Sequence, residues 1–207
     1  MEAEEIVGMV EKALSSKERG FIESVDLSIN FKNIDLKQPK SRINVDVVLP
    51  NKFREPKIGV FASGEIALKA KEAGAEVIDP EELKRMDKKK ARELVKKYDF
   101  FAADASLMSL VGKSLGTILG PRGKMPDPIP PGGDPEQILS RLKGTVKVRA
   151  KTKTLWVNIG RKDMDAKDIA ENAVAVIKAI ETRLERGWQN IASIYMKTSM
   201  GHAVKVI

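Results

Sequence analysis

The chain has 207 residues, 42% of them apolar and 32% charged, which fits a folded protein with one large domain or two small ones and excludes a disordered one. Lys and Arg total 37 against 29 Asp and Glu, a net charge of +8, so a polyanionic partner is favoured without being required. The absence of cysteine excludes disulfide scaffolds, thiol nucleophiles and thiolate metal sites, and the single histidine, His202, leaves little room for histidine-based catalysis or zinc binding.

The N-terminus is acidic, without an apolar signal core, and no apolar run approaches the ~20 residues that span a bilayer. These features predict a cytoplasmic protein that does not engage a membrane. Residues 4–18 read as a helix, with Ile6, Val10, Ala13 and Leu14 at helical spacing. Val25, Leu27, Ile29 and Phe31 then alternate with Ser24, Asp26, Ser28 and Asn30, a strand with one dry and one wet face. After a turn over 33–41, Ile43, Val45, Val47 and Leu49 alternate in a second strand, expected to pair antiparallel with the first.

At Lys57 the pattern changes. Short apolar runs at 58–62 and 75–78 flank a helical stretch closed by Gly74, the strand–helix–strand unit of a parallel sheet. One charged helix is expected over 81–97, a third strand over 99–103, a helical segment over 107–115 and a Gly/Pro-rich irregular tract over 116–133. A short helix over 135–142 leads to Gly144. Alternation returns in Val146 and Val148 and again in Leu155, Val157 and Ile159. A strongly amphipathic helix opens at Asp165 and carries Ile169, Ala173, Val176, Ile177, Ile180 and Leu184 on one stripe. Strands over 191–197 and 203–207 close the chain.

The expected fold class is α/β in two domains. A split α+β domain joins both chain ends, residues 1–54 and 145–207, and a Rossmann-like α/β domain, 55–144, is inserted into it. Two crossings, at 50–56 and near Gly144, would suit a hinge. Residues 145–207 hold 12 basic and 6 acidic side chains, a net +6, against 0 for 1–54 and +2 for 55–144. Phosphate contacts are therefore expected first in the C-terminal part.

Gly112-Lys113-Ser114 lacks the glycine a phosphate loop needs five positions earlier, where Leu107 stands, so a helix end with a solvated lysine is the better reading. In the tract Leu115–Pro126, Arg122 and Lys124 suit phosphate, but a loop shaped by Gly116, Gly120, Pro121, Gly123 and Pro126 explains the composition equally. Phe21 is either core or a surface beside RNA sugar or base. Thr198-Ser199-Met200-Gly201 is either an ordinary hairpin turn or a contact in which two hydroxyls meet ribose and phosphate and the glycine allows close backbone approach. Asp163, Asp165 and Asp168 fit helix capping rather than a metal site. Neither a cofactor nor a metal is expected.

Three stretches carry a family resemblance: Gly20-Phe21-Ile22-Glu23-Ser24-Val25, the tract Lys113–Pro126, and Ser193–Gly201. Together they resemble the large-subunit ribosomal protein L-one family, archaeal type, along essentially the whole chain. The resemblance implies a non-enzyme that binds large-subunit rRNA, forms the mobile stalk near the tRNA exit site and assists release of deacylated tRNA. It also implies repression of translation through binding to the protein's own mRNA, and a monomer away from the ribosome. Its RNA-binding pattern transfers to Phe21, Ser193, Thr198, Ser199, Met200 and Gly201, with a serine at 199 where the family has threonine. Basic side chains Lys147, Arg149, Lys151, Lys153, Arg161 and Lys162 would add the salt-sensitive part. The rival reading is a nucleotide-dependent enzyme built on the inserted α/β segment.

Overall fold

The computed structural model describes residues 3–35, 43–85, 87–150 and 152–207. Its contacts divide the chain into two compact units, Met1–Phe53 with Gly144–Ile207, and Arg54–Lys143.

In the first unit, helix α1 (Ala3–Leu14) precedes strand β1 (Ser24–Phe31), and β2 (Asn44–Val48) follows. The chain returns through β7 (Thr145–Arg149), β8 (Thr154–Arg161), helix α7 (Ala166–Arg183), β9 (Ile191–Thr198) and β10 (Val204–Lys205). An antiparallel sheet runs in the order β10-β9-β1-β8, and β2 pairs with β7 in a separate two-stranded sheet. The expected β1–β2 pairing does not form. Alternation identifies a strand but not its neighbour, and the two eight-residue strands β8 and β9 occupy both edges of β1.

One face of the four-stranded sheet is dry. Val25, Leu27 and Ile29 of β1, Leu155, Val157 and Ile159 of β8, and Ile194 and Met196 of β9 pack with Ile6 and Val10 of α1 and with Ile169, Ala173, Val176, Ile177 and Ile180 of α7. This is the apolar stripe legible in the sequence. Helix α1 ends four residues earlier than expected, where Ser15 turns its hydroxyl back to the Lys12 carbonyl at 2.7 Å, an alternative to continuing the helix.

The second unit is a parallel sheet ordered β4-β3-β5-β6, formed by β3 (Ile58–Phe61), β4 (Glu76–Ile78), β5 (Phe100–Asp104) and β6 (Asp127–Ile129). Helices α2 (Gly64–Glu72) and α6 (Pro135–Lys143) cover one face. Helices α3 (Pro80–Arg85), α4 (Lys88–Lys97) and α5 (Met108–Arg122) cover the other, over stacked Phe61 and Phe101 rings 5.4 Å apart. The single helix expected over 81–97 is two, because the Asp87 carboxylate accepts from the Lys88 N–H at 2.9 Å and starts α4.

The Gly/Pro tract departs most from expectation. Helix α5 runs through Gly116, Gly120 and Pro121 to Arg122, since Val111, Leu115 and Leu119 recur every fourth residue and are buried. Gly123, at φ 65°, closes it in the left-handed conformation, and Lys124 N–H donates to the Leu119 carbonyl at 3.1 Å. Strand β6 follows within the same tract. The two cations there are structural. Lys124 donates to the carbonyls of Val95 at 3.0 Å and Tyr98 at 2.6 Å, satisfying the C-terminal end of α4, and Arg122 donates to the Arg92 carbonyl of the same helix at 3.3 Å. Lys124→Met is expected to lower the stability of the chain by about 1–3 kcal/mol, read from the shift in denaturant midpoint.

Candidate nucleic-acid interface

Antiparallel pairing of β1 with β9 sets Val25 opposite Thr198 and so brings the start of one strand to the end of the other. Ser199 N–H donates to the Ser24 carbonyl at 3.0 Å, and Ser24 N–H donates to the Ser199 hydroxyl at 3.3 Å. Segments 21–24 and 198–201, remote in sequence, therefore lie side by side. Phe21 is 57% exposed and Met200 60%. Phe21 is thus not core, and the two large apolar side chains stand in solvent at one end of the sheet.

The turn is held from below by charge. Glu23 is buried, and its Oε1 accepts the Met200 N–H at 2.8 Å while Oε2 lies 3.5 Å from Lys162 Nζ. Lys162 also donates to the Ser16 carbonyl at 2.6 Å, the Ser16 hydroxyl at 3.1 Å and the Lys17 carbonyl at 3.4 Å. The Ser16 hydroxyl in turn lies 3.1 Å from that of Thr198. A Cβ at Gly201 would lie 2.3 Å from Thr198 Oγ1 and 3.2 Å from Ser16 Cβ, so the turn closes over this network only with glycine there.

The Met200 N–H holds the Glu23 carboxyl below the ordinary carboxylate range; burial opposes the shift and Lys162 reinforces it. A depressed folded-state value means that the stabilisation is complete above the unfolded value, near 4.3, and is lost as pH falls through the lower folded one. Wild-type stability should therefore decline on acidification in that window, and Glu23→Gln should flatten part of the decline in a pH series of thermal melts. Asp26 behaves oppositely: burial raises its carboxyl, against the pull of Lys197, so its ionisation costs stability as pH rises.

The six residues carried over from the family pattern do not form one cluster. Ser199, Met200 and Gly201 form the turn, and Phe21 precedes Glu23 and Ser24, the two residues bonded to it. Thr198 meets them there but is fully buried, its hydroxyl facing Ser16, so it shapes the turn from within. Ser193 lies six residues up β9, on the sheet face opposite the helices, where its hydroxyl accepts from Asn30 Nδ2 at 2.9 Å. Of the cations, Lys151 lies outside the described residues and Lys162 is engaged internally. Arg161 pairs across β1 with Ser24 and has Asp163 at 3.5 Å. Arg149 Nε is buried with no hydrogen-bond partner among the described residues. Missing from the sequence reading are Glu23, Ser16 and the anchoring role of Lys162.

Among the described residues no helix is long and apolar enough to cross a membrane, and no group of His, Cys, Asp and Glu side chains gathers as a metal site.

Residues 12–202 match the model of the Ribosomal protein L1p/L10e family. The chain is 50% identical to the Large ribosomal subunit protein uL1 of Methanothrix thermoacetophila, with 99% of each chain covered. It is 48% identical to that of Methanocella arvoryzae, covering all of both chains, and 45% to that of Archaeoglobus fulgidus, covering 100% of this chain and 99% of the relative. The chain belongs to the Ribosomal protein L1p/L10e family, a family of ribosomal proteins rather than enzymes, and the nucleotide-dependent enzyme finds no support.

Proposed function

We propose that the chain binds large-subunit rRNA directly through the split unit, residues 1–54 and 145–207, as part of the mobile stalk beside the tRNA exit site. There it assists the departure of deacylated tRNA. The same surface binds its own mRNA and represses translation, and away from the ribosome the protein works in the cytoplasm as a monomer. Family membership supports the ribosomal role. The observation that carries direct RNA binding is the turn itself, with exposed Ser199 and Met200 seated over a buried carboxylate that accepts the Met200 N–H, and exposed Phe21 two residues before that carboxylate in the chain. A rigid strand-end platform of this kind reads RNA by contour and by 2′-hydroxyl contacts. Thr198 supports the turn, and Ser193 extends the contact up the sheet.

The test is binding of the purified chain to a large-subunit stalk rRNA fragment, with an unrelated hairpin of equal length as reference. Clear preference for the stalk fragment at moderate salt, and its displacement by an RNA copied from the protein's own message, is expected. Equal affinity for both RNAs would end the proposal.

A further inference from the structure

The antiparallel sheet has a second face, away from helices α1 and α7. Cross-strand pairing sets Trp156 of β8 and Tyr195 of β9 on either side of Ser28 in β1, and Lys205 of β10 opposite Tyr195. Trp156 is 61% exposed, whereas Ser28 between the two rings is buried. One step toward the turn, Lys197 stands opposite Asp26; one step away, Thr154, Asn30 and Ser193 form a hydrogen-bonded row at 2.9 Å each. The rings are carried two strands apart, about 10 Å at the backbone. Two helices on one side and aromatic side chains among lysines and hydroxyls on the other make a surface suited to unpaired bases, whose π-faces stack on such rings whatever their sequence.

We infer that this open face, centred on Trp156 and Tyr195, is a stacking surface for unpaired RNA bases, continuous with the turn at 198–201. The inference rests on the proposed RNA-binding role. It follows from the position of Ser193: an RNA that touches both Ser193 and Ser199 must pass over Tyr195 and Lys197, which lie between them on β9. Among the described residues paired across this face, Lys197 and Lys205 supply the charge that such a strand requires, against the carboxylate of Asp26.

The experiment uses the full chain carrying Trp188→Phe, so that Trp156 is the only indole. The probes are a mixed-sequence single-stranded RNA of twelve nucleotides, a blunt RNA duplex of equal length, and the stalk rRNA fragment. Quenching of Trp156 emission by the single strand and not by the duplex is expected. Trp156→Ala and Tyr195→Leu should each weaken single-strand binding about 5- to 150-fold, and Trp156→Phe, which keeps a ring, should restore most of it. Tight binding of the stalk fragment with unchanged emission and unchanged affinity in both variants would overturn the inference and leave the proposed function standing. Quenching by the single strand without preference for the stalk fragment would do the reverse. Equal quenching by duplex, or emission that tracks protein concentration instead of RNA, would also overturn it, the latter pointing to a second copy of the chain.

Discussion

Gly201→Val should remove most of the specific RNA binding. A Cβ at this position collides with the Thr198 hydroxyl at 2.3 Å, and the added branches extend the clash toward Ser16. Both neighbours belong to the network beneath the turn, so the backbone at 199–201 must shift and carry the Ser199 hydroxyl and the Met200 side chain with it. Losing two direct contacts at roughly 1–3 kcal/mol each lowers affinity for the stalk fragment at least about thirtyfold. Met200→Ala, which trims an exposed side chain, should lose one contact and leave the melting temperature unchanged. Calorimetric titration of both variants, with thermal melts as control, separates the effects. Wild-type affinity in Gly201→Val would take the turn out of the interface.

The second large effect is that of salt. With Lys162 engaged internally and Lys151 outside the described residues, Lys147, Arg149, Lys153 and Arg161 remain of the six basic side chains named from the sequence. The expected slope counts these four alone, before any contribution of Lys197 and Lys205. Four such contacts give a slope of about −3 in log affinity against log salt, so binding should weaken roughly 50- to 150-fold between 50 and 200 mM. Lys162→Met should leave that slope unchanged while lowering stability, because its ammonium is engaged by Ser16, Lys17 and Glu23. A slope that falls by about one unit in this variant would return Lys162 to the phosphate set.

Much of the architecture was legible because burial writes itself into spacing. The stripe from Ile169 to Ile180 marks α7, and the alternation around Leu27 and Val157 marks the central sheet. What spacing does not encode is choice of partner. Nothing in Val45 and Val47 distinguishes pairing with β1 from pairing with β7, which depends on segments a hundred residues away. In α5, glycine and proline suggested a break, yet three leucine and valine side chains at every fourth position outweighed them.

The site was legible in part. Its side chains at the turn are visible as an unusual tetrapeptide, but their support is hidden in parity. Glu23 continues the odd-numbered dry series of Val25, Leu27, Ile29 and Phe31, and an acid on that face has to find a partner there. Trp156 carries the converse signal, a large ring at a wet position between Leu155 and Val157. Neither signal says which distant residue answers it. Lys162 and Tyr195 come into view only when β8 and β9 are set beside β1.

The pairing of Ser24 with Ser199 has a consequence for newly made chains. Half of the grip leaves the ribosome 175 residues before the other half. A polypeptide released before β9 is made carries Phe21 and Ser24 without the turn at 198–201, and so holds only half of the surface proposed to meet RNA. Under the proposed feedback on the message, such a fragment would not register.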